Sequence, residues 1–281
     1  MISIAYITQW RSIAPWADDI QVEQDLILSR VLVEIYSDPF LRNELAFRGG
    51  TALNKLFITP ASRYSEDIDL VRTGNGPISE IADALRARLE PWLGVARRNR
   101  TNRSFKLEFH FNPETASLSK QRVKIEVNIQ ETFSIAERIS KSFSVKSDWF
   151  SGEAQINTFQ LEEILATKLR ALYQRSKGRD LFDLWLAINQ LECNIDNIIH
   201  IFLEYMKREG AIITRKLFEQ NLELKLRDNV FVNDLGPLLS PNIKWAQTIS
   251  SDNDQDEPAI VWNLVDAAET IKHYILNHLH D

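Results

Sequence analysis

The segment that decides the fold reads Gly49-Gly50-Thr51-Ala52-Leu53-Asn54-Lys55, and a short loop separates it from Arg63-Tyr64-Ser65-Glu66-Asp67-Ile68-Asp69-Leu70. The apolar residues 45–47 favour a short strand, and residues 51–57 favour a short helix that Thr51 is able to cap. Residues 65–71 alternate carboxylate and aliphatic side chains, as a strand does when one face meets a core and the other a site. The sequence therefore predicts a strand, a glycine turn, a helix and a second strand.

The alternation places two carboxylates on one face of the second strand. Asp67 and Asp69 point one way, while Ile68 and Leu70 point the other. Side-by-side carboxylates suit a divalent cation, because magnesium prefers carboxylate and phosphate oxygens. Two such ions can stabilise the attacking and leaving oxygens of a phosphoryl displacement. The sequence therefore predicts a magnesium or manganese site on this strand.

The diglycine predicts an anion site beside the carboxylates. Without Cβ atoms, Gly49 and Gly50 let the backbone approach a phosphate, and the positive end of the following helix favours an anion. An exposed edge strand and an ordinary turn would explain the aspartates and the glycines separately. The order of turn, helix and acidic strand favours a nucleotide site instead.

A third carboxylate comes from the alternating segment 124–129. Glu126 joins the two aspartates if this strand lies beside theirs. Near two ionised aspartates such a carboxylate should resist ionisation unless a cation is present. The alternative is a glutamate that faces solvent.

Beyond residue 150 the strand patterns give way to longer helical ones, so we place a domain boundary there, between residues 1–150 and 151–281. The polar, acidic residues 250–258 predict an exposed loop. Helices are predicted at 160–173, 180–190, 195–207 and 258–279.

One lysine of the second half lies in an apolar stripe. Lys168 falls within about 20° of Leu161 on the predicted helix, where lysine is rare without an anionic partner. A nucleotide phosphate is the candidate partner, and the alternative is a packed stem with its ammonium group in solvent. The next helix begins after a basic turn, and Asp180 and Asp183 share one of its faces, opposite its apolar arc.

Basic residues predict contacts with a polynucleotide backbone, although a solvated hairpin tip is an equal alternative. The net charge of −6 excludes a general nucleic-acid coat, so such binding needs local patches. The candidates are Arg97, Arg98, Arg100, Arg103 and Lys106 between two strands, with Lys177 and Arg179 in the second half.

The composition is that of a folded protein that has no membrane helix. The chain has 281 residues, of which 44% are hydrophobic, and a loose length prior leaves room for two domains. Its one cysteine, Cys193, excludes an intramolecular disulfide and a cysteine-based zinc cluster, and favours a reducing compartment. No run of about 18 apolar residues occurs. We therefore expect a cytoplasmic protein without a membrane span.

The quoted motifs resemble those of the AbiEii nucleotidyltransferase toxins, including the MenT-like toxins. The first motif matches Phe47–Lys55 with Arg63–Leu70, and the later motifs match Lys168–Tyr173 and Arg179–Trp185. The resemblance spans roughly residues 20 to 205. It implies an α+β fold, with a polymerase-β-like core of a small mixed sheet and flanking helices, followed by a mostly helical C-terminal region.

The resemblance also implies a function. A toxin of this kind is paired with a separately encoded antitoxin, with phage defence as one outcome. It adds nucleotides, often pyrimidines and here with CTP favoured, to the 3′ end of tRNA and so blocks translation. Alternatives are transfer to a protein or to a small molecule such as an antibiotic, and a nucleotide-binding or partner-binding module without catalysis.

Roles for individual residues follow from the resemblance. Related transferases commonly have aspartate where Glu126 falls, which makes its role as a ligand the weakest of the set. The helical region would contribute Lys168 and either Asp180 or Asp183 to the active-site cleft. The nucleotide would be held by Gly49, Gly50, Thr51, Ser65, Lys168 and Arg175, and the metal by Asp67, Asp69 and Glu126.

Overall fold

The computed structural model describes residues 2–114, 120–245 and 260–280, without the side chain of Trp245. The chain divides into two compact units, Met1–Gln160 and Leu161–Asp281. The predicted exposed loop at 250–258 lies outside the described residues. Among those residues, no helix is both long and apolar enough to traverse a lipid bilayer.

The first unit is built on a mixed sheet of seven strands in the order β3-β4-β5-β2-β1-β7-β6. The β1/β7 and β2/β5 pairs are parallel, and the other neighbours are antiparallel. The strands are β1 (Leu45–Arg48), β2 (Asp67–Arg72), β3 (Arg97–Arg100), β4 (Ser104–Phe111), β5 (Gln121–Asn128), β6 (Ile139–Lys146) and β7 (Ser151–Thr158).

Helices of the first unit pack against this sheet and against each other. The longest, α2, packs against β7, β6 and β5. Its buried side chains include Leu26, Leu28 and Leu32, each of which contributes about 2 kcal/mol on burial. The described helices are α1 (Ile4–Trp10), α2 (Asp19–Ser37), α3 (Pro39–Glu44), α4 (Gly49–Leu56) and α5 (Ile78–Leu93).

The second unit is mostly helical. Helix α6 packs against α7, α8 and α9, and α11 packs against α7. Two three-residue strands, β8 (Ile243–Trp245) and β9 (Ile260–Trp262), form a parallel pair. The described helices are α6 (Leu161–Gln174), α7 (Gly178–Gln190), α8 (Ile195–Arg208), α9 (Arg215–Leu226), α10 (Asn229–Asn233) and α11 (Leu264–Tyr274), with 3₁₀ turns at Gly236–Leu238 and Leu276–His278.

The predicted boundary and the predicted last helix both differ from the structure. The boundary expected near residue 150 lies at Gln160, because β7 belongs to the sheet of the first unit. The helix expected from residue 258 begins at Leu264. Asn263 ends the preceding strand and caps the helix, since its side chain accepts hydrogen bonds from two amides of the first turn.

Candidate active site

The two aspartates of β2 lie on a central strand of the sheet. Strand β2 runs between β1 and β5, so these side chains are not the solvent-facing side of an edge strand. Asp67 and Asp69 are half-buried on one face, while Ile68 and Leu70 are fully buried on the other. The predicted division of the strand into an acidic and an apolar face is therefore present in the structure.

Helix α4 begins directly against one of these carboxylates. Gly49 has φ +81°, in the left-handed region, and a Cβ placed on it would lie 2.5 Å from Asp69 Oδ2. Any side chain there would meet both backbone strain and the carboxylate. A glycine is therefore required for the start of the helix to lie beside Asp69.

The predicted cap and the predicted glycine turn are wrong in detail. Gly49 and Gly50 form the first turn of α4, and Arg48 is its N-cap residue. Thr51 lies inside the helix, almost fully buried, and its hydroxyl donates to the carbonyl of Asp67 and lies 2.8 Å from the Ser65 hydroxyl. Thr51 thus ties α4 to β2, and its buried hydroxyl fixes Ser65.

Strand β5 brings the third carboxylate beside the other two. It pairs in parallel with β2, with Asp69 opposite Glu126 and Asp67 opposite Lys124. Glu126 therefore lies on the acidic face, as the sequence predicts. Its Oε2 lies 3.1 Å from Lys106 Nζ and 3.6 Å from Lys124 Nζ, and Lys124 Nζ lies 2.8 Å from Asp67 Oδ2.

The charges of this face make Asp69, rather than Glu126, resist ionisation. Burial and the charge of Asp67 raise the pKa of Asp69, against the opposing effect of Arg48 and Lys124. Burial alone would raise the pKa of Glu126, but hydrogen bonds from Ser104 and Lys106 lower it overall. The expectation for Glu126 excepted a nearby cation, and two lysines supply that charge, with Lys106 opposite it in the β4/β5 register and Lys124 two residues before it on β5.

The face fits a magnesium ion through two carboxylates. Among residues 2–114, 120–245 and 260–280, no three histidine, cysteine, aspartate or glutamate side chains are grouped as a metal site. Magnesium, however, is commonly held by one or two carboxylates together with substrate phosphates. Asp67 and Asp69 fit that pattern, whereas Glu126 faces Lys106 and Lys124 instead of a metal position.

In the second unit, the lysine of the apolar stripe has carboxylate partners. Lys168 Nζ lies 3.1 Å from Asp180 Oδ1 and 2.8 Å from Asp183 Oδ2, and both aspartates are fully buried. Arg175 donates two hydrogen bonds to Asp180, at 2.7 and 2.9 Å. Burial alone would raise the pKa of Asp180, but Lys168 and Arg175 hold it well below its usual range.

These contacts revise two expectations. The anion that meets Lys168 is a pair of aspartates from its own unit, so the ammonium group is neutralised without a nucleotide phosphate. Asp180 and Asp183 were expected opposite the apolar arc of α7, but both point into the interior. An interior position is possible because Lys168 offsets their charge.

The family model for the AbiEii nucleotidyl transferase toxin of type IV toxin–antitoxin systems matches residues 30–268. The chain belongs to this family. This chain is therefore a nucleotidyltransferase toxin, and a toxin–antitoxin family implies an antitoxin as its partner. None of the curated proteins matches it significantly in sequence.

The chain is similar to solved structures. MenT4, a nucleotidyltransferase toxin from Mycobacterium tuberculosis, matches with TM-score 0.63 at 14% identity, over 99% of this chain and 91% of its own. JHP933 from Helicobacter pylori has TM-score 0.46 at 18% identity, over 74% of this chain and 90% of its own. The match to MenT4 confirms the predicted fold class, a mixed sheet with flanking helices and a helical C-terminal region.

The predicted basic residues divide into two sets. Arg97, Arg98 and Arg100 are exposed on β3, the edge strand, so the predicted run between strands is itself a strand. Arg103 is exposed in the turn after it. Lys177 and Arg179 differ, because both lie 3.4 Å from Asp234, which neutralises part of their charge.

A second buried lysine, Lys225, lies in the helical unit and is not among the residues that the sequence patterns single out. Lys225 is 9% exposed and donates to the carbonyls of Leu172 and Tyr173 near the end of α6. Burial lowers its pKa to about 8, and the charge of Asp180 opposes that shift. Its spacing of three residues from the buried Leu222 is the signal that would have found it, as for Lys168.

Proposed function

We propose that this protein transfers a nucleoside monophosphate, with CMP favoured, from a nucleoside triphosphate to the 3′ end of tRNA and thereby blocks translation. The observation that supports this proposal most is the placement of Asp67 and Asp69 on one face of β2, with Gly49 at the start of α4 against Asp69. Hard oxygen ligands thus lie beside the amide end of a helix. A nucleoside triphosphate complexed with a cation needs both.

In this proposal the residues of the first unit bind and orient the triphosphate. Asp67 and Asp69 would hold a magnesium or manganese ion, which would neutralise charge on the phosphates and stabilise the transition state. The amide groups at Gly49 and Gly50 would face the phosphates, with the Ser65 hydroxyl beside them. Thr51 contributes by holding Ser65 rather than by contacting the nucleotide.

The reaction itself is an in-line displacement. The oxygen of the acceptor 3′-hydroxyl bonds to the α-phosphorus, the bond from that phosphorus to the bridging oxygen breaks, and pyrophosphate leaves. The hydroxyl proton passes to water. The protein contributes mainly positioning and electrostatic stabilisation, which are the main sources of rate in phosphoryl transfer.

In the second unit, Arg175 fits a phosphate contact better than Lys168. The Arg175 side chain is 54% exposed, whereas Lys168 is 7% exposed. Asp180 fixes the guanidinium of Arg175 through two hydrogen bonds, which reduces the entropy lost when a phosphate binds. We therefore propose that Lys168, Asp180 and Asp183 form a supporting cluster within the second unit, in which Arg175 is the residue suited to bind a phosphate.

The basic edge strand supports a nucleic-acid acceptor. Arg97, Arg98 and Arg100 are exposed, and none has an ion-pair partner among the described residues. Such a row attracts backbone phosphates locally in a chain whose net charge is −6. That overall charge also favours the second candidate, transfer to a protein or a small molecule.

The experiment that tests the proposal uses each α-labelled nucleoside triphosphate with Mg²⁺ and total tRNA. Label should enter tRNA, most strongly from CTP, and tRNA oxidised with periodate should remain unlabelled because it lacks the terminal diol. Glu108→Gln, on the same face of the sheet, should keep transfer, and Asp67→Asn should lose it. Absence of label in tRNA would refute the acceptor, and label in a protein or small molecule would favour the second candidate.

A further inference from the structure

Two lysines contact the acidic face of the first unit, and they differ in one respect. Lys106 on β4 and Lys124 on β5 both lie near Glu126, at 3.1 and 3.6 Å. Only Lys124 also contacts an aspartate of the proposed metal site, at 2.8 Å from Asp67 Oδ2. The ammonium group of Lys124 thus lies between Asp67 and Glu126.

This position is fixed by the sheet. Lys124 is opposite Asp67 in the parallel β2/β5 register, and Glu126 is two residues further along the same face. The Lys124 side chain is 18% exposed, and its ammonium group contacts both carboxylates. A lysine ammonium group is compact and acts as a point charge, so it suits a position between two carboxylates.

A divalent cation that bridged Asp67 and Glu126 would have to take the place of this ammonium group. Asp67 has two oxygens, so Lys124 can hold Oδ2 while the other oxygen binds a metal shared with Asp69. Glu126 differs from Asp67, because two ammonium groups approach its Oε2, that of Lys106 from β4 and that of Lys124 from β5 itself. The ammonium group of Lys124 lies where a second cation would have to bind between Asp67 and Glu126.

We infer that Lys124 takes the place of the second metal ion, so that the centre binds one divalent cation through Asp67 and Asp69. The inference rests on the proposed function, which places a metal at these aspartates. Lys124 is a positioning residue in this account: it orients Asp67, neutralises Glu126 and excludes a second cation. A fixed positive charge would then replace one ion of a two-metal centre.

The test counts Mn²⁺ bound to the full chain by equilibrium dialysis, with free Mn²⁺ measured by electron paramagnetic resonance. The wild-type protein should bind one ion. Lys124→Met should bind two, because it frees Asp67 Oδ2 and one side of Glu126. Lys106→Met, the matched control, should still bind one, and Lys124→Arg, which keeps the charge, should also bind one.

The outcomes separate this inference from the proposed function. Two ions in the wild-type protein, or one ion in a folded Lys124→Met variant, would overturn the role of Lys124 but leave the metal site in place. No bound ion in the wild-type protein would overturn the metal site itself. Far-UV circular dichroism checks folding, and Lys124→Gln replaces the methionine variant if that variant does not fold.

Discussion

The two units each place a lysine among carboxylates, with opposite consequences. In the first unit Asp67 is 33% exposed and Lys124 is 18% exposed, so the cluster remains accessible from solvent. In the second unit Asp180 and Asp183 are fully buried around Lys168. A buried ion pair must be complete to be tolerated, whereas a half-exposed one can exchange partners.

The carboxylate pKa values express the same contrast. The pKa of Asp69 is raised, since burial and a neighbouring carboxylate disfavour its charge. The pKa of Asp180 is lowered, since Lys168 and Arg175 outweigh burial. An added cation would therefore stabilise the charged form of Asp69, whereas Lys168 and Arg175 already stabilise that of Asp180. The first cluster suits catalysis, and the second suits stability.

The largest expected effect on stability follows the loss of a buried carboxylate. Asp180→Ala leaves Lys168 and Arg175 with fewer counter-charges, so the free energy of unfolding should fall by about 3–5 kcal/mol. Urea denaturation followed by circular dichroism measures it. Asp196→Ala, an exposed control, should change stability by less than about 0.5 kcal/mol. Equal losses of stability in Asp180→Ala and Asp196→Ala would contradict the stabilising role of the buried cluster.

The start of α4 should tolerate no side chain. Gly49→Ala adds a Cβ in the left-handed region and against Asp69, so we expect a loss of about 1–2 kcal/mol from backbone strain alone. Transfer activity should also fall, because Asp69 must move. Gly94→Ala is the control, since Gly94 also has positive φ but nothing within 4 Å of its Cβ position. It should lose stability and keep activity.

Removing the charge of Asp69 should raise the free energy of unfolding, whereas removing that of Asp180 should lower it. Because the fold disfavours that charge, Asp69→Asn should raise the free energy of unfolding by about 1 kcal/mol while it abolishes transfer. Glu126→Gln is the comparison, since the fold favours the charge of Glu126 and its loss should be destabilising. A destabilised Asp69→Asn variant would show that this carboxylate is structural.

The smallest expected effect is on the stability of the protein at acidic pH. Because the folded-state pKa of Asp180 lies below its ordinary value of 3.8, its contribution to stability is present above that pH and is lost as the pH falls below it. Stability of the wild-type protein should therefore decline below about pH 4 more steeply than that of Asp180→Asn. Urea midpoints at several pH values measure this, and parallel curves would count against the pairing.

The sequence predicts the strands and helices that bury one face and leave the other exposed. The alternation in β2 and β5 and the apolar stripe of α6 were readable because burial imposes a period on the side chains. Strand β3, Arg97-Arg98-Asn99-Arg100, is exposed throughout and pairs only at the sheet edge, so it has no such period. Strand β6, with serine or lysine at most positions, is similarly weak in apolar signal.

The acidic residues of the candidate site could be predicted from the sequence, but the side chains that contact them could not. The spacing of Asp67 and Asp69 alone placed them on one face, but the contact of Asp67 with Lys124 depends on a parallel register between distant strands. The sequence singles out Lys168 because it is a lysine within the apolar stripe of α6. Its aspartate partners could not be assigned, because their contact depends on how α6 and α7 pack.

The central claim is that the half-exposed acids of β2 perform the transfer. Label transfer from CTP to tRNA by Asp67→Asn, at a concentration where circular dichroism shows it folded, tests that claim most directly. Loss of a metal ligand should cost several kcal/mol in the transition state, so the rate should fall by about a hundredfold to a thousandfold with the urea midpoint nearly unchanged. Transfer at the wild-type rate by this variant would contradict the account.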